Sequence, residues 1–374
     1  MQDGHSLTSR IPLVDLAAQH REISDAIWEG FERVMCSSSF VLGEELAAFE
    51  RAFASFTGVE QCVGVGNGTD ALELALRALG IGPGDDVLVP ANTFVASALA
   101  VSRAGARPVF VDIDPETFLV DVGQVDARIT RRTRALIAVH LYGQMAPVEV
   151  LREIGSAHSL SVVEDAAQAH GATRDGQGPG RLGVATTSFY PGKNLGALGD
   201  GGAVLTDVPE VADRVRALRN YGRTEKYVHA AIGFNSRLDS LQAAVLHAKL
   251  ERLEDWNARR RAAAAYYDDL LEDTPHVVRS TALPGNLHVQ HLYVVRVPAR
   301  DEVLRRLRAS GIEAAIHYPT PIHLQPAYSS LGYRAGDFPA AEEAARQILS
   351  LPLHPFITPG QQERVVDELR RAMP

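Results

Sequence analysis

Through its first two-thirds this chain alternates short apolar runs with amphipathic stretches, which confines it to a mostly parallel sheet with helices on both faces. The runs that read as strands are Asp86–Pro90, Arg107–Ile113, Ala135–Leu141, Ser161–Glu164, Thr186–Tyr190 and Gly202–Thr206. Between them, Thr69–Leu79, Phe94–Arg103, Val148–His158 and Glu210–Asn220 carry helical spacing. The pattern changes at Arg237. From there to Leu271 runs a helix-compatible segment without Gly or Pro, a connector to a second, α+β unit. That unit reads as strand Leu292–Val297, helix Glu302–Ser310, a Pro- and His-rich loop from Ile316 to Pro326, and helices Ala341–Leu349 and Gly360–Met373. The expected division is a large domain of residues 1–245 and a small C-terminal domain of residues 246–374.

The net charge of −9 and pI of 5.8 argue against a nucleic-acid binder. The one basic run, Arg259-Arg260-Arg261, lies in a helical stretch and reads as a solvated face. Cys36 and Cys62 are far apart and lack metal-type spacing, so neither a disulfide framework nor a metal site is expected. Residues Met1 to Arg10 are polar without an apolar core, and no run of 18 apolar residues exists. A cytoplasmic protein with no membrane partner is expected.

Lysine is scarce: of 37 Lys and Arg residues only Lys193, Lys226 and Lys249 are lysine. Where only a charge is needed, arginine suffices, because it does not deprotonate in proteins. A lysine kept in the Gly-rich segment Ser188-Phe189-Tyr190-Pro191-Gly192-Lys193-Asn194-Leu195-Gly196 points to an amine that must lose its proton and attack a carbonyl. A genome biased toward Arg codons would also leave three lysines at random, and Lys226 and Lys249 fit that reading.

Other segments bear chemistry. Val63-Gly64-Val65-Gly66-Asn67-Gly68-Thr69 departs from the dinucleotide glycine spacing, but it suits a phosphate on the N–H groups of Gly68 and Thr69 at a helix start. An ordinary capped turn would look the same. Val162-Val163-Glu164-Asp165 places an acid at the carboxyl end of a strand, where open α/β sheets bind ligands. Such a carboxylate can hold a pyridinium nitrogen protonated, with Gln168 reaching the ring's phenolic oxygen. Glu164, its neighbour along the strand, faces the other way. Ser188 stands near a strand end, within reach of the same phosphate. Phe94 is either a stacking surface or a core aromatic, and Asn235 either a ligand or the cap of the long helix.

Taken in order, these segments resemble the DegT/DnrJ/EryC1/StrS family of sugar aminotransferases. The resemblance rests on Asn67-Gly68-Thr69-Asp70-Ala71-Leu72, Val139-His140-Leu141-Tyr142-Gly143-Gln144, Glu164-Asp165-Ala166-Ala167-Gln168-Ala169-His170-Gly171, the Lys193 segment and Asn235-Ser236-Arg237-Leu238-Asp239. It implies pyridoxal 5′-phosphate (PLP) on the fold-type-I, aspartate-aminotransferase-like α/β scaffold, with a seven-stranded-type sheet. It implies Lys193 as the internal aldimine and catalytic base, Asp165 on the pyridine nitrogen, Gln168 on the 3-hydroxyl and Phe94 on the ring face. Gly68, Thr69 and Ser188 would bind the phosphate, joined by Asn235 from a second subunit, so a homodimer with shared sites is implied. An amino acid, glutamate, would load pyridoxamine phosphate and a nucleotide-linked ketosugar would unload it. The Gly199-Asp200-Gly201-Gly202 segment and the Ile316–Leu324 loop are more like the relatives that aminate C3 of dTDP-3-keto-6-deoxyhexoses, with Tyr221, His317 and Tyr318 near the sugar. A C4 or cyclitol aminotransferase is the alternative within the family; outside it stand a non-catalytic sensor and a nicotinamide-dependent epimerase.

Overall fold

The computed structural model describes residues 10–181 and 183–374; the polar segment 1–9 lies outside the described residues. Seven strands form the central sheet: β1 (Gln61–Val65), β2 (Asp86–Pro90), β3 (Arg107–Val111), β4 (Thr133–Val139), β5 (Ser161–Asp165), β6 (Val184–Ser188) and β7 (Gly202–Thr206). Their spatial order is β1-β7-β6-β5-β4-β2-β3, parallel except for β7, which runs antiparallel to both β1 and β6. The strand cores are buried on both faces, hence the near-continuous apolar runs.

Three helices precede the sheet: α1 (Leu16–Glu22), α2 (Ser24–Ser37) and α3 (Glu44–Thr57). Four more, α4 (Gly68–Ala78), α5 (Val95–Ala104), α6 (Val148–His158) and α7 (Pro209–Leu218), cover it. The connector is one helix, α8 (Ser240–Leu271), starting three residues later than the pattern suggested. Asp239 occupies its N-cap position, so Asn235 is not the cap of this helix. Beyond it, α9 (Arg300–Ala309) and α11 (Pro359–Ala372) pack on a three-stranded antiparallel sheet of β8 (Val278–Arg279), β9 (Tyr293–Arg296) and β10 (Ile348–Leu351).

Three expectations need correction. The helix placed at Ala341–Leu349 is α10 (Pro339–Gln347) and stops before Ile348, because Ile348–Leu351 pairs with Tyr293–Arg296 as a sheet strand. Arg260 is not a solvated residue. It is buried, donates to the carbonyls of Leu353 and Gln290, and burial pulls its guanidinium down to about 10. Lys249 is no leftover either: its side chain is wholly buried and Nζ donates to the Gly196 carbonyl at 2.6 Å, with His20 Nε2 at 3.2 Å. Gly196 closes the loop that carries Lys193, so α8 clamps that loop from below.

One edge of the sheet gathers the chemistry. The ends of β1, β5 and β6 lie beside the start of β7, where Gly202 pairs with both Val65 and Ser188. A Cβ on Gly202 would stand 2.5 Å from the Asn67 carbonyl carbon and oxygen, and this backbone has nowhere to go. Gly202→Ala is therefore expected to destabilise the protein by about 1–3 kcal/mol, read as a lowered urea midpoint at unchanged m-value.

Candidate active site

At that edge opens a cavity of about 590 Å³ lined by Gly68, Thr69, Phe94, Asp165, Gln168, Ser188, Lys193, His317 and Tyr318 among others. Nine of the eleven sequence-expected site residues thus meet in one place. Tyr221 and Asn235 do not line it. Tyr221 is half-exposed with φ 62°, and the Asn235 side-chain oxygen accepts from Arg237 at 2.6 Å.

The phosphate-type end is built from backbone. Asn67 caps α4 by accepting from the Asp70 N–H at 2.8 Å, which leaves the Gly68 and Thr69 end of the helix facing the cavity. A Cβ on Gly68 would lie 2.5 Å from the Ser188 Cβ. Glycine here lets a helix N-terminus and a serine hydroxyl converge on one point.

Asp165 ends β5. Its Oδ2 accepts from Ser97 Oγ at 2.8 Å and its Oδ1 from the Ala167 N–H at 3.2 Å, so the carboxylate is fixed while it faces the cavity. Glu164 does point the opposite way, accepting from Arg152 at 2.7 Å and bonded to His140 Nε2 at 2.9 Å. Gln168 is oriented by a donor: the Tyr142 N–H reaches its Oε1 at 2.6 Å, so the amide NH2 turns inward and meets Tyr318 Oη at 3.2 Å. Phe94 sits at the N-cap of α5, 52% exposed, with its ring 5.4 Å from that of Tyr318. It is not a core aromatic.

Among the described residues no hydrogen bond or ion pair holds the Lys193 amine. Burial lowers its pKa to about 8, and Asp165 opposes that fall. Three imidazoles answer it. Burial first, then the Lys193 charge, brings His170 to about 3 and His317 to about 4, and pushes His291 well below its ordinary value. His317 Nδ1 also lies 2.8 Å from Ser350 Oγ, and its carbonyl accepts from the Tyr142 hydroxyl at 2.5 Å.

Sequence reasoning missed Ser97, Tyr142, Asn194 and His291. Ser97 had a signal: it lies three residues after Phe94 on the same helix. His291 had none, for it meets its partner Asn194 across 97 residues of sequence.

These residues fit PLP. The site offers an unpartnered amine for an aldehyde and an anchored carboxylate for a pyridine nitrogen. It adds an inward amide donor and a helix N-terminus with a hydroxyl for phosphate. The family model for the DegT/DnrJ/EryC1/StrS aminotransferase family matches residues 21–370. The chain belongs to that family. A dTDP-3-amino-3,4,6-trideoxy-alpha-D-glucose transaminase from Streptomyces venezuelae is 48% identical over 97% of this chain and 96% of its own. A "pleiotropic regulatory protein" from Geobacillus stearothermophilus is 46% identical over 96% and 97%. The crystal structure of S. venezuelae DesV, solved with a ketimine intermediate, superposes with a TM-score of 0.95 at 48% identity, covering 97% of this chain and 98% of that one. The chain is a PLP-dependent aminotransferase of the fold expected from its strand pattern.

The pKa of Lys193 gives a direct check. In apo protein, acylation of Lys193 followed by peptide mass mapping should rise with a midpoint near pH 8, far below an ordinary lysine. Asp165→Asn removes the charge that favours the ammonium, so the midpoint should move lower still; an upward move would contradict the assignment.

Proposed function

We propose that this chain moves the amino group of an amino acid, L-glutamate, onto C3 of a dTDP-3-keto-6-deoxyhexose in antibiotic deoxyaminosugar biosynthesis. One observation carries the aminotransferase chemistry: the partner-free Lys193 amine shares a cavity with the anchored Asp165 carboxylate. The choice of carbon draws on the relatives named as 3-amino-sugar transaminases and on Asp200, His317 and Tyr318 in the cavity wall.

Bound PLP supplies the electron sink that acidifies the α-carbon of an attached amine. The chain's residues do the rest. Asp165, oriented by Ser97 and the Ala167 N–H, holds the ring N–H. Gln168 donates to the ring oxygen, and Phe94 covers the ring face. Gly68, Thr69 and Ser188 hold the phosphate, assisted by Asn235 of a second copy. Lys193, once freed by the donor, would move a proton from the donor α-carbon to the C4′ carbon of the cofactor and, in the second half of the exchange, from C4′ to C3 of the sugar. With a pKa near 8 about a tenth of that amine is neutral at pH 7, against roughly one part in three thousand for an unperturbed lysine. His317 and Tyr318 would face the sugar; Tyr221, outside the cavity wall, would not.

A homodimer completes this reading. Tyr190 is 59% exposed at the cavity, and Trp28 and Ile232 are 68% and 96% exposed. A dimer that shares its sites would cover Tyr190 at the cavity mouth. Residues 1–245 serve as the cofactor-holding domain and 246–374 as the small one, although α8 runs unbroken through the junction. The compartment is the cytoplasm; no helix among the described residues is long and apolar enough to cross a membrane.

A regulatory role, suggested by one relative's name, is the second reading. An amine without a hydrogen-bonding partner that lines a cavity, its pKa drawn down by desolvation, favours catalysis over a purely structural role. Purified protein with PLP should be yellow, and glutamate should bleach it. With dTDP-3-keto and dTDP-4-keto sugars in parallel, NMR should show nitrogen at C3 only; amination at C4 alone sinks the carbon assignment, and no turnover supports the sensor. For the shared site, mixing inactive Lys193→Ala with Asn235→Ala protein should restore part of the activity through hybrid dimers. No recovery would place Asn235 outside the partner's site.

A further inference from the structure

Three buried side chains next to Lys193, those of Asn194, Asn257 and His291, form a chain of hydrogen bonds whose direction is fixed by chemistry. Asn194 donates from Nδ2 to the Val289 carbonyl at 3.0 Å and to Asn257 Oδ1 at 2.8 Å. Asn257, on α8, donates from Nδ2 to the His170 carbonyl at 2.8 Å. Carbonyls only accept, so neither amide can be flipped, and both protons of the Asn194 NH2 are committed. Asn194 Oδ1 is therefore an acceptor, and its partner, His291 Nδ1 at 3.1 Å, must be the donor. The imidazole is neutral, because burial, Lys193 and Arg260 all oppose its charging. A neutral ring with its proton on Nδ1 has a bare lone pair on Nε2. That nitrogen has no hydrogen-bonding partner among the described residues, and the ring lines the cavity beside Lys193. Nor is it one of the sealed, unsatisfied atoms of the interior, so it opens onto the cavity.

We propose that His291 is a fixed hydrogen-bond acceptor for the free Lys193 amine, locked in the Nδ1–H tautomer by Asn194 and Asn257. It takes one N–H of Lys193 when the donor releases that amine, and so aims the nitrogen lone pair at the reacting carbon. Two features favour Lys193 as the donor. Its amine is unpartnered, and residue 194, directly following it in sequence, is the one that seats the imidazole. Neither of the other two imidazoles near Lys193 is locked as an acceptor toward the cavity: His170 has its free Nδ1 sealed in the interior, and His317 Nδ1 meets the Ser350 hydroxyl, which can donate or accept and so fixes no tautomer.

This inference rests on Lys193 being the reactive amine, so the test records both. Holoenzyme labelled with heavy nitrogen only in its histidine rings is followed by NMR and visible absorption as glutamate is added. The His291 signals are assigned by their loss in His291→Gln. The expected result is an unprotonated Nε2 at rest that shifts toward the hydrogen-bonded range as the yellow band bleaches, with no such shift in Lys193→Ala loaded with pyridoxamine phosphate. Bleaching without a shift, an Nε2 protonated at rest, or an equal shift in Lys193→Ala each overturns the role of His291 while leaving the proposed function intact. Absence of bleaching overturns the reading of Lys193 and this inference with it. Kinetically, His291→Phe should lower kcat roughly tenfold with little change in the KM for glutamate, since one hydrogen bond is lost. His291→Gln, whose side-chain oxygen can still accept, should keep most of the activity; equal losses in the two variants would reduce His291 to packing.

Discussion

The structure turns on a competition at one nitrogen. Burial drives the Lys193 amine toward its neutral form, while the Asp165 carboxylate across the cavity pulls it back toward the ammonium. The balance, near 8, costs about 3 kcal/mol relative to a lysine in water. Folding bears that cost at neutral pH and recovers it as pH rises from about 8 to 10.5, where the unfolded lysine also gives up its proton. A fold that keeps such an amine has to hold it firmly, and much of the local architecture can be understood as that hold.

The hold comes from three directions. The ends of parallel strands place Asp165 and Ser188 at one edge, and the antiparallel β7 brings Gly202 between Ser188 and Val65. The loop carrying Lys193 folds back so tightly that a Cβ on Gly196 would lie 2.3 Å from the Pro191 carbonyl oxygen. From beneath, α8 contributes Lys249 to the Gly196 carbonyl and Asn257 to Asn194. A second lysine thus spends its buried amine on a backbone oxygen, which leaves Lys193 as the amine facing the cavity.

The sheet was legible because strands buried on both faces leave unmistakable apolar runs, and Lys193 because lysine is so rare here. Asp165 followed from its place at a strand's end. Part of what escaped lies on α8. Its buried residues run round the helix because α2, α3 and α11 pack on it at different points, so no single face announces itself. Arg260 consequently looked like a surface charge, and Lys249 like a lysine left at random. His291 and Asn194 meet across 97 residues of sequence, a distance over which spacing says nothing. The strand Ile348–Leu351 was absorbed into a helix because a short apolar run carries no periodicity of its own.

The central claim is that the nitrogen at position 193 is the one that bonds to the cofactor. Borohydride reduction of the PLP-loaded protein, followed by peptide mass mapping, tests it with only three lysines to distinguish. The account predicts a pyridoxyl adduct on Lys193 alone. An adduct on Lys226 or Lys249, or none, would contradict it.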